Sequence, residues 1–292
     1  MHIYASVSDA FENCFTSKTF SFIHLKEHPL SEFFFPSEIY TVFYSDSTTF
    51  EALIHNHAYL VKPNCVLIIR PFEYAHIFPN NSQTINGSLL FVHPDYLKNL
   101  LEYHSYWNDC ILTKDCDFLH IRIPQAKTIT SFRNFYTRLH ENAEFDSNLY
   151  LHHACLEFLL SLCQNFNKTS HDRINPEQFY TTYHISGLFL EDILFFIDAN
   201  FTKELTIQFL SKALFVTGTY LCRFFKSHTG ITINHYINAR RISLAQTYLA
   251  NGYGISESLS QSGFREYSTF LKTFKKHTRC TPTDFLLRNH LL

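Results

Sequence analysis

Two short stretches in the last third of the chain put small polar side chains beside a cation on one side of a helix. In TYLCRFFKS, the side chains of Tyr220, Leu221, Phe224 and Phe225 are the packing set. Thr219, Cys222, Arg223 and Lys226 fall on or near the other side. An arginine among short polar chains can grip O6 and N7 of a guanine in the major groove. EYSTFLKTFKK repeats the design. Phe270 and Phe274, four apart, face inward, while Tyr267, Ser268, Leu271 and Lys272 face outward, followed by Lys275 and Lys276. The alternative for such a basic helix is a membrane surface, but the apolar face is too short and the repeat argues against it.

Each stretch is delivered by a shorter helix and a turn. LTIQFLSKAL precedes Phe215-Val216-Thr217, with Thr217 as the expected N-cap and Gly218 opening the second helix. ISESLSQS precedes Gly263-Phe264, where glycine fits a sharp turn. This is helix-turn-helix spacing, used twice. INHYINARRISLAQTYLANG joins the units; twenty residues at 1.5 Å each span roughly 30 Å. One turn of B-DNA is about 34 Å, so two such helices can enter successive major grooves.

From about Leu188 to His290 the sequence resembles the AraC/XylS family of transcription regulators. The residues that carry the likeness are Tyr220-Leu221, Phe225-Lys226, Thr229-Gly230, Tyr236, Ala239-Arg240-Arg241, Ala245, Gly263-Phe264, Phe270, Phe274-Lys275-Lys276 and Thr281-Pro282. The resemblance implies a double helix-turn-helix that binds double-stranded promoter DNA, usually to activate transcription with RNA polymerase as a partner. By position it implies base contacts from Thr219, Cys222 and Arg223 in the first unit, and from Tyr267, Ser268 and Lys272 in the second. Thr217, Lys226, Lys275 and Lys276 are then phosphate contacts, which position without reading sequence. The chain departs from the family before Gly263. Ser258-Leu259 stands for an apolar residue and alanine, and Ser262 for an apolar residue, which predicts looser packing of the second unit.

The first hundred residues read as strands: FSFIHL, IYTVFY, FEALIH, AYLV, CVLIIR and SLLFVH, separated by turn residues. HNH at 55–57 suits a hairpin corner, and Pro63-Asn64 a second turn. FEALIHNHAYLVKPNCVLIIRPFEYAHIF resembles the cupin-type sensing domain of such regulators through Tyr59, Pro63-Asn64, Leu67-Ile68, Pro71 and His76. That likeness implies a small barrel that binds an effector, followed by dimerising helices. Helical periodicity begins near Pro94, in DYLKNLLEYHSYW, TITSFRNFYTRLHEN and NLYLHHACLEFLLSLCQNF. The last predicts an apolar stripe of Leu149, His152, Leu156, Leu159, Leu160 and Cys163. The polar stretch NKTSHDRINPEQ is the linker candidate.

The expected class is therefore α+β. A cupin-like domain (1–100) leads to a helical dimerisation segment (101–166) and a linker (167–184). An all-α DNA-binding domain (185–292) follows, with two helix-turn-helix units joined by a long helix. At 46% hydrophobic and 17% charged, the 292 residues make a globular chain rather than a disordered one. From Phe201 onward there are twelve Lys or Arg against four Asp or Glu, a balance of +8; the first 200 residues hold twelve against twenty-two, a balance of −10. A basic back behind an acidic front points to a polyanion at the back. The aromatic, lightly charged front points to an apolar effector such as a fatty acid.

No start-of-chain leader, no apolar run near 20 residues and no C-x-x-C pair stands in the sequence, so a cytoplasmic chain with reduced cysteines is expected, and the resemblance implies a homodimer. The rival reading is a metal-dependent cupin enzyme with a DNA-binding tail. Its ligands would come from His55, His57, Glu73 and His76. The carboxylate expected after the histidine pair is missing, with Val61 and Lys62 in its place, so no metal and no cofactor is assigned. Adjacent His152 and His153 point about 100° apart on a helix and do not share a metal. No catalytic motif or phosphate loop is present.

Overall fold

The computed structural model describes residues 6–29, 34–35, 38–54, 57–79, 84–101, 121–122, 152–153, 155–162, 184–185 and 188–290. Helix α1 (Val7–Ser17) opens it. Ser6 caps it, accepting from the Asp9 N–H at 3.1 Å, and its buried Ala10 and Cys14 stand one turn apart. This helix goes unread in the strand-like reading of the front, although Ser6 and Asp9 are ordinary start signals.

The strands follow: β1 (Phe20–Pro29), β2 (Phe34–Phe35), β3 (Tyr40–Ser45), β4 (Phe50–Ile54), β5 (His57–Val61), β6 (Val66–Ile69), β7 (Ala75–Pro79) and β8 (Thr84–Val92). After α2 (Pro94–Leu101) come the short β9 (Ile121–Arg122) and a helix at 155–162, here α3. β10 (His184–Ile185) pairs with β11 (Leu188–Phe189).

The front strands form two antiparallel sheets, β1-β8-β3-β6-β9 and β2-β7-β4-β5. They face each other across a core that holds Phe43, Phe50, Tyr59 and Phe91. The expected barrel therefore takes the form of a sandwich: among the described residues no ladder joins the two sheets. Ile54 pairs with His57, so β4 and β5 make the hairpin expected at HNH, and Asn64 takes φ 62 at the second turn.

Every residue of β3 is buried, because both faces are covered. Phe43 points into the sandwich; Tyr40, Val42 and Tyr44 point to a second core under α2 and α3. On α3 the buried stripe is Cys155, Phe158, Leu159 and Leu162. That corrects the expected stripe, since Leu156 and Leu160 are partly exposed. His152 meets Tyr96, with Oη and Nδ1 2.8 Å apart. Leu149, Cys163 and TITSFRNFYTRLHEN fall outside the described residues, as does the linker but for His184.

The back is helical: α4 (Leu190–Asn200), α5 (Ile207–Ala213), α6 (Gly218–Thr229), α7 (Ile233–Ala250), α8 (Ile255–Gln261), α9 (Tyr267–Thr278) and α10 (Pro282–His290). α7 runs 18 residues, about 27 Å, two residues short of the expected length. Its first half gives Ile233, Tyr236 and Ile237 to one core, with Leu210, Leu221, Phe224 and Phe225. Its second half gives Ile242, Ala245 and Leu249 to another, with Phe270, Phe274 and Phe285. The outer face of the β2-β7-β4-β5 sheet closes the first of these with Leu53 and Ala58, together with Tyr74 just before β7. No helix among the described residues is long and apolar enough to cross a membrane.

Candidate nucleic-acid interface

The first unit is α5, a turn, and α6. Thr206 caps α5 by accepting from the Phe209 N–H at 3.1 Å, and Thr217 caps α6 by accepting from the Tyr220 N–H at 3.3 Å. The turn is a Schellman closure: the Val216 N–H reaches Ser211 O at 3.0 Å and the Phe215 N–H reaches Lys212 O at 3.3 Å. Phe215 takes φ 56 there. Leu221, Phe224 and Phe225 are buried, which leaves Thr217, Thr219, Cys222, Arg223 and Lys226 exposed along the opposite side.

The second unit, α8 and α9, closes its turn the same way. The Phe264 N–H reaches Leu259 O and the Gly263 N–H reaches Ser260 O, both at 3.2 Å. Gly263 takes φ 88, and a Cβ there would stand 2.5 Å from Thr202 O. Phe270 and Phe274 are fully buried; Tyr267, Ser268, Lys272, Lys275 and Lys276 are exposed. Leu271, grouped with the outward residues from spacing alone, packs partly against the second core. The two serines that depart from the family pattern are both fully buried. Ser262 Oγ donates to Leu259 O at 3.0 Å, whereas Ser258 Oγ has no hydrogen-bond partner among the described residues.

All ten residues singled out for DNA contact are thus exposed, five on each unit. The same strips expose Ser227 and Thr269, which the position-by-position reading omitted. What it also missed is how the units are joined. Arg241 donates from Nε to Phe201 O at 2.7 Å and from Nη2 to Lys203 O at 2.8 Å, and lies over the Phe264 ring. Arg265 pairs with Glu204 at 2.8 Å. These contacts line a cleft of 240 Å³ between the units, with Asn238, Glu266 and Thr269. Arg240 is buried on an Asp198 ion pair and a Phe201 ring. The only signal for this was the Arg240-Arg241 pair, which reads equally well as two more phosphate cations.

α10 opens on a reciprocal cap. Asp284 N–H donates to Thr281 Oγ1 at 3.1 Å, and the Thr281 N–H and hydroxyl both donate to Asp284 Oδ2. Those hydrogen bonds hold the Asp284 carboxyl below its usual range.

The residues of the rival metal reading do not converge. His57 pairs with Ile54, which faces the sandwich core, while His76 pairs with Leu53, which faces the helices. Paired residues point to one side of a sheet, so the two histidines lie on opposite faces. Glu73 is held by Arg70, 3.0 Å away. His55 lies outside the described residues. Among the described residues no group of three His, Cys, Asp or Glu could hold a metal ion.

The family model described as "Helix-turn-helix domain" matches residues 210–288. An uncharacterized response regulatory protein of Staphylococcus epidermidis is 30% identical over 140 residues, 46% of this chain and 56% of that one. The transcriptional regulatory protein HptR of Staphylococcus aureus is 31% identical over 117 residues, 39% of this chain and 44% of that one. The chain spans about half the length of the curated relatives it matches. Among solved structures, the C-terminal domain of the two-component response regulator yesN of Fusobacterium nucleatum is 28% identical, with a TM-score of 0.32 over 33% of this chain and 95% of that one. ToxT of Vibrio cholerae is 16% identical, with a TM-score of 0.37 over 94% of this chain and 96% of that one. Residues 210–288 of the chain therefore carry a helix-turn-helix domain.

Proposed function

We propose that the chain is a sequence-specific DNA-binding transcription regulator, acting as an activator. The observation that carries this reading is the repeat: two units with the same turn closure, each turning five polar or basic side chains outward from a buried Phe pair. Thr219, Cys222 and Arg223 read bases in one major groove; Tyr267, Ser268 and Lys272 read the next. Thr217, Lys226, Lys275 and Lys276 hold phosphates. Arg223 carries most of the first reading, because a thiol such as Cys222 is a weak hydrogen-bonding partner for a base.

The front domain senses and dimerises in this reading. Its aromatic interior favours an apolar, fatty acid-like effector, whose binding shifts the population of DNA-competent chains. RNA polymerase is the downstream partner. Genome-wide mapping of bound sites tests the proposal. The expected outcome is a two-part motif with half-sites about one helical turn apart, upstream of genes whose transcription falls when the chain is deleted. Binding spread evenly over the genome would overturn sequence-specific regulation; raised transcription on deletion would overturn activation. A thermal-shift screen with long-chain fatty acids tests the effector, with a raised melting temperature expected.

A further inference from the structure

The turn between β6 and β7 reaches both helix-turn-helix units at once. Arg70 and Glu73 fasten it: the Arg70 N–H donates to Glu73 Oε2 at 2.8 Å and its Nε–H to Oε1 at 3.0 Å. Between them Phe72 takes φ 63, a left-handed conformation uncommon for a bulky residue. Its ring packs on the second unit's core, 6.1 Å from Phe285 at a 62° angle. Its carbonyl accepts from Ser243 Oγ on α7. Two residues on, Tyr74 is fully buried in the first unit's core, 5.4 Å from the Tyr236 ring.

Phe72 and Tyr74 therefore sit in different cores, one in each unit. On α7 the residues at this seam, Tyr236, Arg240 and Ser243, fall at i, i+4 and i+7, a single stripe. Arg241, which ties the units together, lies a further 100° round the helix. The connecting helix is thus held from two sides, one of them supplied by the front domain.

We propose that Phe72 and Tyr74 are positioning residues, through which the front domain fixes the mutual angle of the two DNA-reading units. Packed cores move between discrete arrangements rather than deforming smoothly, so one rigid turn lodged in both cores moves them together. The effect on DNA rests on the proposed function; the effect on geometry does not.

The test uses the full chain with spin labels at Cys222 and at Ser268→Cys. Cys110, Cys116 and Cys163 are replaced by serine; Cys14, Cys65, Cys155 and Cys280 are buried. The parent gives one narrow distance distribution between the two reading helices, and Phe72→Ala broadens it. In a half-site spacing selection with the unlabelled chain, Cys222 and Ser268 unchanged, Phe72→Ala lowers the preference for the best spacing by about fivefold or more, while affinity for a single half-site stays. Phe72→Leu, which refills the core, restores both. Should Phe72→Ala not fold, Glu73→Gln loosens the turn without opening a core, and broadening is again expected. An unchanged distribution with unchanged spacing preference in a folded variant overturns the proposal. So does an equal loss at a single half-site, which signals general damage. If the unlabelled, unsubstituted chain binds no DNA, the proposed function falls and the label distances alone decide: broadening upholds the positioning role, no change overturns it.

Discussion

The two helix-turn-helix units close their turns with the same pair of hydrogen bonds but build them from different residues. The first puts Phe215 at the left-handed position, with its side chain 96% exposed. The second puts Gly263 there, against the Thr202 backbone. The first caps both helices with threonine; the N-caps of α8 and α9, Gly254 and Glu266, make no side-chain cap bond. The first fills its short helix's inner face with Leu210, the second with Ser258. Glycine is thus obligatory only where a neighbouring backbone comes close, and the turn conformation by itself does not demand it.

The strongest way to break the comparison is Gly263→Ala. The new Cβ meets the Thr202 carbonyl and Cα within 2.6 Å, and φ 88 disfavours any side chain. Backbone strain and overpacking of this kind cost about 3 kcal/mol together. Chemical denaturation should register that loss. A variant as stable as the parent would mean that the close approach to Thr202 is not kept in solution.

Acid probes both units at once. His76 lies against Thr229 and Gly230 at the end of α6, whose last turn also carries Lys226 and His228; Glu51 stands on β4 two residues from Leu53, the partner of His76. His277 on α9 has its ring 5.0 Å from that of His235 on α7, with Lys276 beside them. Burial first, then His235, lowers His76 and His277 from 6.5 to about 4; Lys276 adds to the effect on His277. The folded state therefore favours the neutral rings. Their contribution is complete above about pH 6.5 and drains as pH falls toward 4. By pH 5 the loss is about 2 kcal/mol for each ring. Denaturation at pH 7.5 and pH 5 should show it, and His76→Gln should remove one ring's share. A midpoint that ignores pH across this range would mean that the seam takes up no protons.

Reading, as distinct from folding, separates the units next. Arg223→Ala should relax preference at one base pair and cost about 1–3 kcal/mol of binding. Lys272→Ala should do the same in the second half-site. Selection of bound sequences by each variant decides: if neither changes its preferred bases, the assignment of these side chains to base edges fails.

Much of this was legible because it rests on local rules. Thr217 as a cap, Phe270 and Phe274 as a buried pair and the β4–β5 hairpin all follow from spacing within a few residues. What was not legible rests on distant partners. Arg240 and Arg241 stand in the sequence only as residues of the family likeness, because Asp198 and the Phe201 carbonyl, which hold them, are about 40 residues away in the chain. His76 stands in the rival metal reading with His57 until β-sheet register puts the two on opposite faces. The stripe on α3 slipped because one turn of apolar residues fits two helix faces, and only the overlying sheet chooses between them. The buried serines of α8 predicted loose packing. In the structure Ser262 satisfies its hydroxyl within its own helix, so only Ser258 remains a cost.

That cost and the exposed phenylalanine are the smallest differences between the units, and each can be corrected alone. Ser258→Ala removes a hydroxyl that is fully buried without a hydrogen bond and leaves the same backbone, so stability should rise by about 1 kcal/mol. Phe215→Gly relieves a left-handed residue whose side chain buries almost nothing, and should also gain up to about 1 kcal/mol. One is exposed at the turn of the first unit and the other buried in the second, so the double variant should gain the sum to within about 0.5 kcal/mol. If Ser258→Ala instead destabilises, the hydroxyl has a partner in solution and the second unit is as well packed as the first. If Phe215→Gly destabilises, the exposed ring has an occupant of its own, and the first unit's turn is a contact surface rather than a flaw.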